Sequence, residues 1–135
     1  MEIKGLILDV DGTIAETEEL HRKSFNLIFQ KIGLEWYWSR KTYSKLLNTA
    51  GGLERLKIFR QESKNAKVLV SDSELIKLHE LKTNLFAEIL QNCDLKPKLG
   101  LPELIKNART RNIKLGISTN TSLKNLDSLC KKIWE

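Results

Sequence analysis

The sequence predicts an α/β fold in which a small parallel sheet is interrupted by a long, wholly helical insertion. Two short apolar runs, Ile3–Leu8 near the start and Ile113–Ser118 late in the chain, are typical of core strands. The residues between them carry apolar side chains mainly at helical spacing. We therefore expect a partial Rossmann-like core with two recognisable strands, and we expect Ile3–Leu8 to be buried on both faces of the sheet.

Size and composition are those of one soluble domain: 135 residues, of which 41% are hydrophobic and 30% charged. No apolar run approaches the roughly 18 residues that a membrane span needs. The first strand begins almost at the first residue, which leaves no room for a targeting segment, so a cytoplasmic location is predicted. Cys93 and Cys130 lack the spacing of metal ligands and are expected to be reduced thiols.

The formal net charge of +6 is spread over predicted helices. No basic block is interleaved with exposed aromatic residues, so a solvated surface is predicted and nucleic-acid binding is not. The aromatic stretch Trp36-Tyr37-Trp38 is expected to pack between helices, since Glu35 precedes it and its first basic neighbour on the C-terminal side is Arg40.

Two carboxylates, Asp9 and Asp11, follow the first strand, and Gly12-Thr13 breaks the extended run. In an open α/β sheet, ligands bind at the carboxyl ends of the strands. Two neighbouring carboxylates repel each other, so their ionisation needs a cation or a shared proton. Mg²⁺ suits few carboxylates combined with a substrate phosphate. Asp9 and Asp11 are therefore candidate Mg²⁺ ligands, and a simple acidic turn is the alternative.

The helical insertion is placed at residues 16–93, between core segments 1–15 and 94–135. Thr17 is predicted to cap a helix over Glu18–Ile32 that Gly33 closes.

The insertion continues with further helices. Ser71 is predicted to cap a long helix that ends near Asn92, with His79 on its surface. The elements expected before it are a helix over Lys41–Asn48, a glycine turn, a helix from Leu53 and a loop over Gln61–Lys67.

The return to the core is marked by Pro97 and Gly100, after which a helix is predicted over Leu101–Arg111. Thr119 follows the second strand, Ile113–Ser118, and apolar spacing then predicts a final helix. A hydroxyl residue at a strand end, with the amides of a new helix beside it, suits phosphate binding, whereas a plain helix cap is the alternative.

The run Asp-Val-Asp-Gly-Thr from Asp9 to Thr13 resembles the first motif of the haloacid dehalogenase (HAD) phosphatases and phosphomutases. The resemblance implies that Asp9 is the nucleophile that forms an aspartyl-phosphate. It implies that Asp11 is the general acid and base. In the same family the second motif is a Ser or Thr at a strand end, which implies that Thr119 binds phosphate and that the backbone of Asn120 contacts it.

Two further stretches resemble the CbbY-like and beta-phosphoglucomutase-like subgroup. The run from Glu16 to His21 implies a cap hinge at Thr17 and a site-facing histidine at His21; a surface histidine is the alternative. The Gly-Gly-x-Glu-Arg run that ends at Arg55 implies a ligand for a second anionic group of the substrate. An arginine paired with a neighbouring carboxylate is the equal alternative.

The resemblance also implies a later lysine and a later acidic pair, and this sequence ends before either. We expect a core truncated before those motifs, with an unpaired sheet edge that favours self-association. The implied function is a Mg²⁺-dependent phosphatase for a small sugar phosphate or bisphosphate. The alternatives are an inactive remnant or interaction module and, second, a beta-phosphoglucomutase-like phosphomutase.

Overall fold

The computed structural model describes residues 2–62 and 70–134, and it confirms the predicted α/β class. The elements, in chain order, are β1 Gly5–Leu8, α1 Glu18–Lys31, α2 Arg40–Leu46, α3 Gly52–Glu62, α4 Asp72–Asn92, α5 Leu101–Thr110, β2 Lys114–Ile117 and α6 Leu123–Trp134. They divide into two compact units: unit 1 comprises Met1–Glu18 with Leu90–Glu135, and unit 2 comprises Glu19–Ile89.

Unit 1 contains a parallel pair of strands, β1 and β2, aligned so that Gly5 lies opposite Lys114 and Leu8 opposite Ile117. The pairing continues past β2, because the Ser118 amide donates to the Leu8 carbonyl at 2.9 Å. The two strands therefore end side by side, which places the residues that follow them at one edge of the sheet.

The expectation that the first strand is buried on both faces is wrong. The Ile7 side chain is 73% exposed and that of Ile117 is 43% exposed. Side chains alternate along a strand, so Leu6 and Ile7 point to opposite faces. Leu6 lies beside Leu104 and Ala108 of α5, where they line a common cavity. The described residues form a sheet of two strands, and it leaves the face of Ile7 in solvent.

Unit 2 is built around an aromatic and aliphatic core supplied by its helices. Trp36 and Trp38 are buried, as predicted, whereas Tyr37 between them is 67% exposed. Trp38 is held by its backbone: its amide donates to Asn26 Oδ1 at 2.8 Å, and its carbonyl accepts from Asn26 and Arg22. The core consists of Phe25, Ile28, Phe29, Trp36, Trp38, Tyr43, Leu46, Leu56, Leu75 and Leu78.

Two helix ends follow from local sequence as predicted. Gly33 adopts a φ of 71°, and the Leu34 amide donates to the Phe29 carbonyl at 2.8 Å, which is the geometry of a Schellman cap closing α1. At the start of α4, the Ser71 amide donates to Glu74 Oε2 at 2.7 Å and the Glu74 amide donates back to Ser71 Oγ at 3.3 Å. This reciprocal pair is a capping box.

Two other predictions need correction. The loop expected over Gln61–Lys67 begins later, because α3 continues through Glu62; residues 63–69 lie outside the described part of the chain. His79 is half-buried instead of lying on the helix surface. Its ring centroid lies 6.5 Å from that of Phe25. Burial and the nearby charge of Lys82 lower the pKa of His79 below its usual value.

Both cysteines, Cys93 and Cys130, are free thiols, as expected. Among the described helices, none combines the length and the apolar character that crossing a bilayer requires.

Candidate active site

The carboxyl ends of β1 and β2 bring three of the predicted site residues to one edge of the sheet. Asp9 directly follows β1, and Thr119 and Asn120 follow Ser118, whose amide is bonded to the last residue of β1. Asp9 and Asn120 are exposed, and Thr119 is half-buried. The arrangement has the layout of a ligand site at strand ends, with a carboxylate and a hydroxyl on neighbouring strands.

The loop after β1 is a compact turn that fixes Asp11. The Thr13 and Ile14 amides both donate to the Val10 carbonyl, and the Gly12 amide donates to the Ala15 carbonyl at 2.8 Å. Gly12 has a φ of 76°, a backbone conformation that L side chains rarely adopt, so glycine is required here. Val10 and Ile14 are buried, which anchors the turn beneath the exposed Asp9.

Thr17, which is fully buried, donates its side-chain hydroxyl to Asp11 Oδ1. The bond joins two residues for which the family resemblance implies different roles: a cap hinge at Thr17 and a general acid and base at Asp11. Nearby, the Lys98 amide donates to the Ile14 carbonyl at 2.8 Å, and Lys98 Nζ lies 2.6 Å from Glu16 Oε2. The segment that carries Thr17 is thereby tied to the segment that returns to the sheet.

The loop after β2 is ordered by its own hydroxyl groups. The Thr121 amide donates to Thr119 Oγ1 at 3.1 Å, and the Asn125 amide donates to Ser122 Oγ at 3.2 Å. Ser122 therefore caps α6, and Thr119 does not. The helix-cap alternative thus belongs to Ser122, which leaves the Thr119 hydroxyl hydrogen available for an acceptor.

His21, in unit 2, is buried instead of lying on the surface, with 6% of its area exposed. Its ring stacks on that of Phe86 at 4.0 Å between centroids, and its Nδ1 lies 2.7 Å from Lys82 Nζ. Lys82 is only 3% exposed, and its ammonium lies over the Phe25 ring at 4.6 Å. The surface alternative for His21 is therefore wrong.

Sequence reasoning missed Lys82, although a signal for it exists. Leu78 and Phe86 lie four residues before and after it, and both are buried core positions of α4. A lysine in the apolar stripe of a helix faces the interior with them. Buried lysines are rare unless they have polar partners, so this spacing could have marked Lys82 as a functional candidate.

Arg55, also in unit 2, makes contacts that neither sequence hypothesis contained. Its Nε donates to the Thr49 carbonyl at 2.9 Å, and its Nη1 lies 3.4 Å from the Tyr43 hydroxyl, with the guanidinium 5.7 Å from the Tyr43 ring centre. These bonds orient the guanidinium. The carboxylate partner that one hypothesis required is not among its contacts in the described residues.

Gly51 and Gly52, which precede Arg55, each require glycine for a different structural reason. Gly51 has a φ of 90°, which a turn residue with a side chain rarely adopts. Gly52 has an ordinary conformation but no room: a Cβ there would lie 2.7 Å from His79 Nε2 and 3.1 Å from Phe25 Cζ. The pair therefore allows α3 to begin against the side chains of α1 and α4.

A second charged pair in unit 2, Glu19 with Arg22, was not predicted. Arg22 Nε and Nη2 donate to the two carboxylate oxygens of Glu19 at 2.8 and 2.7 Å. Arg40 Nη2 lies 3.5 Å from Glu19 Oε1. These bonds lower the pKa of Glu19 from 4.5 to about 2 and raise the pKa of Arg22. Arg22 also donates to the Trp38 carbonyl, so the ion pair contributes to the packing of α1 in unit 2.

Asp9 and Asp11 fit the chemistry of a Mg²⁺ site as oxygen donors separated by one residue in a fixed turn. The described residues contain no group of three or more His, Cys, Asp or Glu side chains close enough to hold a metal together. Two carboxylates plus oxygens from a phosphate group and water are a usual Mg²⁺ environment.

Comparison with known proteins identifies the family. Residues 6–133 match the family model described as haloacid dehalogenase-like hydrolase. The chain belongs to the haloacid dehalogenase-like hydrolase family. The resemblance drawn from Asp9, Asp11 and the helical insertion is thus confirmed.

Within the haloacid dehalogenase-like hydrolases, the chain is similar to CbbY proteins. Protein CbbY of Rhodobacter capsulatus is 43% identical over 129 residues, covering 96% of this chain and 56% of that protein. The crystal structure of CbbY from Rhodobacter sphaeroides in complex with phosphate is 36% identical with a TM-score of 0.91, covering 98% of this chain and 58% of that one.

A CbbY variant from Rhodobacter sphaeroides in complex with xylulose-1,5-bisphosphate is 35% identical with a TM-score of 0.92, again covering 98% of this chain and 58% of that one. The chain therefore spans little more than half the length of the relatives that it matches.

Proposed function

We propose that the chain carries part of the active site of a Mg²⁺-dependent phosphatase that hydrolyses a small sugar phosphate or bisphosphate through an aspartyl-phosphate on Asp9. The observation that carries the proposal is the placement of Asp9 and Thr119 after paired strands, with Asp11 held by Thr17. A carboxylate nucleophile divides one difficult displacement into two easier steps.

In the first step, an oxygen of Asp9 attacks phosphorus and the bond between phosphorus and the sugar oxygen breaks. Asp11 gives its proton to the leaving oxygen. In the second step, Asp11 takes a proton from water, the water oxygen attacks phosphorus, and the bond to Asp9 breaks with release of phosphate. Thr17 donates to Oδ1 of Asp11, which orients the carboxyl group that takes part in both proton transfers.

Asp9 and Asp11 would hold Mg²⁺, which would neutralise negative charge on the phosphate and on the nucleophile. Thr119 would donate its hydroxyl to a phosphate oxygen, and the Asn120 amide would donate beside it. Preorganised donors of this kind stabilise the charge that develops during phosphoryl transfer.

Unit 2 would supply substrate contacts through His21 and Arg55, with Thr17 at the hinge. The guanidinium of Arg55 is oriented by Thr49 and Tyr43, which favours recognition of a second anionic group. The complex of a CbbY variant with xylulose-1,5-bisphosphate supports a five-carbon bisphosphate as the substrate. Phosphatase activity is preferred over the phosphomutase alternative because the Gly-Gly-x-Glu-Arg run that ends at Arg55 resembles that of sugar bisphosphate phosphatases.

Phosphate release from a panel of sugar phosphates and bisphosphates, measured with and without Mg²⁺, tests the proposal. We expect Mg²⁺-dependent release that Asp9→Asn abolishes, because an amide is a poor nucleophile. Asp94→Asn is the matched control, since Asp94 is an exposed aspartate whose partner is Lys96. Absence of release from the folded wild-type chain would contradict phosphatase activity and favour the inactive or interaction alternative.

An interaction function is the second candidate, and the exposed sheet favours it. Ile7 is 73% exposed on a two-stranded sheet whose outer edges are unpaired within the described residues. Open edges and apolar faces favour pairing with another chain, so we propose self-association through β1. Sedimentation of Ile7→Lys beside a Leu99→Lys control tests it: only Ile7→Lys should reduce the association, and a monomeric wild-type chain would exclude it. The cytoplasmic location and the domain boundaries at 15 and 94 stay predictions.

A further inference from the structure

Asn125, the third residue of α6, is a buried polar residue that packing alone does not explain. Its side chain is 6% exposed, and its Nδ2 donates to Thr121 Oγ1 at 3.4 Å. Its Oδ1 is buried without a hydrogen-bond partner among the described residues. Leaving a buried acceptor unsatisfied costs about 1–3 kcal/mol, so an apolar side chain would serve stability better at this position.

The bond from Asn125 belongs to a chain of hydrogen bonds that ends at the predicted phosphate ligand. Asn125 Nδ2 donates to the Thr121 hydroxyl oxygen, and the Thr121 amide donates to the Thr119 hydroxyl oxygen at 3.1 Å. A threonine hydroxyl has one hydrogen and two lone pairs. Since both oxygens accept from nitrogen, each hydroxyl keeps its hydrogen for another acceptor.

The surroundings of these hydroxyls favour an anion. They lie directly before the first turn of α6, a helix of 12 residues. Two of the first amides of α6 are already satisfied, because those of Asn125 and Leu126 donate to the side chain and the carbonyl of Ser122. The amides of the loop and the helix dipole add positive potential at this end.

We propose that Asn125 is a positioning residue of the phosphate loop: it holds the Thr121 side chain so that the hydroxyls of Thr121 and Thr119 both donate to a phosphate group. Asn125 does not touch the ligand itself and acts through Thr121. This inference rests on the proposed function, since it assumes that the loop binds phosphate.

The test is a titration of the chain with inorganic phosphate, followed by the amide resonances of Thr119 to Thr121. We expect Asn125→Ala to weaken binding about fivefold, the equivalent of one neutral hydrogen bond. Thr121→Val should weaken it by a similar factor. The double variant should bind no more weakly than Thr121→Val alone, because coupled residues are not additive. Ser128→Ala, which removes a hydroxyl bonded to the Lys124 carbonyl on the same helix, should bind as the wild type does.

Circular dichroism distinguishes positioning from unfolding, because alanine is a good helix former and α6 should persist in Asn125→Ala. Amide hydrogen exchange without phosphate gives a second readout: the Thr121 amide should exchange faster in Asn125→Ala than in Ser128→Ala. Equal phosphate affinity of Asn125→Ala and wild type, or additive effects in the double variant, would overturn the inference alone. Absence of saturable phosphate binding by the wild-type chain would overturn the proposed function and the inference with it.

Discussion

Thr17 donates a hydrogen bond from its fully buried side chain to the Oδ1 atom of Asp11, six residues earlier in the chain. The bond connects the end of the turn after β1 to the start of α1. It holds the Asp11 carboxyl group through Oδ1. The residue implied as a hinge is therefore also a direct partner of the residue implied as the general acid.

Replacing Thr17 by valine keeps the shape of the side chain and removes the donor. We expect Thr17→Val to lower the free energy of unfolding by about 1–3 kcal/mol, because the variant loses this partly buried hydrogen bond to a charged group. Urea denaturation measures the change. Thr17→Ser, which retains the hydroxyl, should lie closer to the wild type, and equal stability of Thr17→Val and wild type would contradict the prediction.

The contact between His21 and Lys82 predicts one tautomer of the histidine. An ammonium group has donors and no acceptor, so Lys82 Nζ donates to His21 Nδ1 across 2.7 Å and the ring proton lies on Nε2. Long-range ¹H–¹⁵N spectra at neutral pH should show the Nε2–H form. In Lys82→Met, which keeps an apolar stem, this preference should weaken. A dominant Nδ1–H form in the wild type would contradict the geometry.

The pair formed by Glu19 and Arg22 predicts a pH dependence of stability. The folded-state pKa of Glu19, about 2, lies below the ordinary value of 4.5 because Arg22 donates to both carboxylate oxygens. A lowered carboxyl pKa gives stabilisation that is present above the unfolded value and is lost as pH falls through the folded value.

The measurement is the difference in unfolding free energy between wild type and Glu19→Gln. We expect about 1 kcal/mol at neutral pH, after allowance for partial exposure of the pair, shrinking between about pH 5 and pH 2. Glu35→Gln, at an exposed position, is the control and should show no such trend. A difference that does not vary with pH would contradict the assignment.

The close packing of Gly52 against His79 predicts that a side chain at residue 52 destabilises the fold, and that removing the His79 ring relieves part of this effect. A methyl group at Gly52 would lie 2.7 Å from His79 Nε2, so Gly52→Ala should destabilise the chain by about 1–3 kcal/mol. The double variant Gly52→Ala/His79→Ala lacks the imidazole ring. Gly52→Ala should therefore cost less stability in the His79→Ala background than in the wild type. Thermal unfolding of the three variants completes the cycle, and strictly additive losses would show that the contact does not limit residue 52.

The positions of α1 and α4 were predictable from local signals, because caps act over a few residues. Gly33 closes α1 through its positive φ, and Ser71 with Glu74 opens α4. Burial was less predictable. Ile3–Leu8 has the composition of a strand covered on both faces, yet Ile7 is exposed, since exposure depends on which other elements pack against the sheet and not on the strand itself.

The sequence by itself determined the family and the order of strands and helices, and it predicted the candidate site residues Asp9, Asp11 and Thr119, because motif spacing and apolar periodicity are properties of the chain. Tertiary structure alone decided the partners: Thr17 with Asp11, Lys82 with His21, and Asn125 with Thr121. The last two pairs are separated by 61 and 4 residues, and neither separation marks them as partners. Hydrogen bonds require distances near 3 Å, and in each pair only the folded backbone brings the two side chains that close.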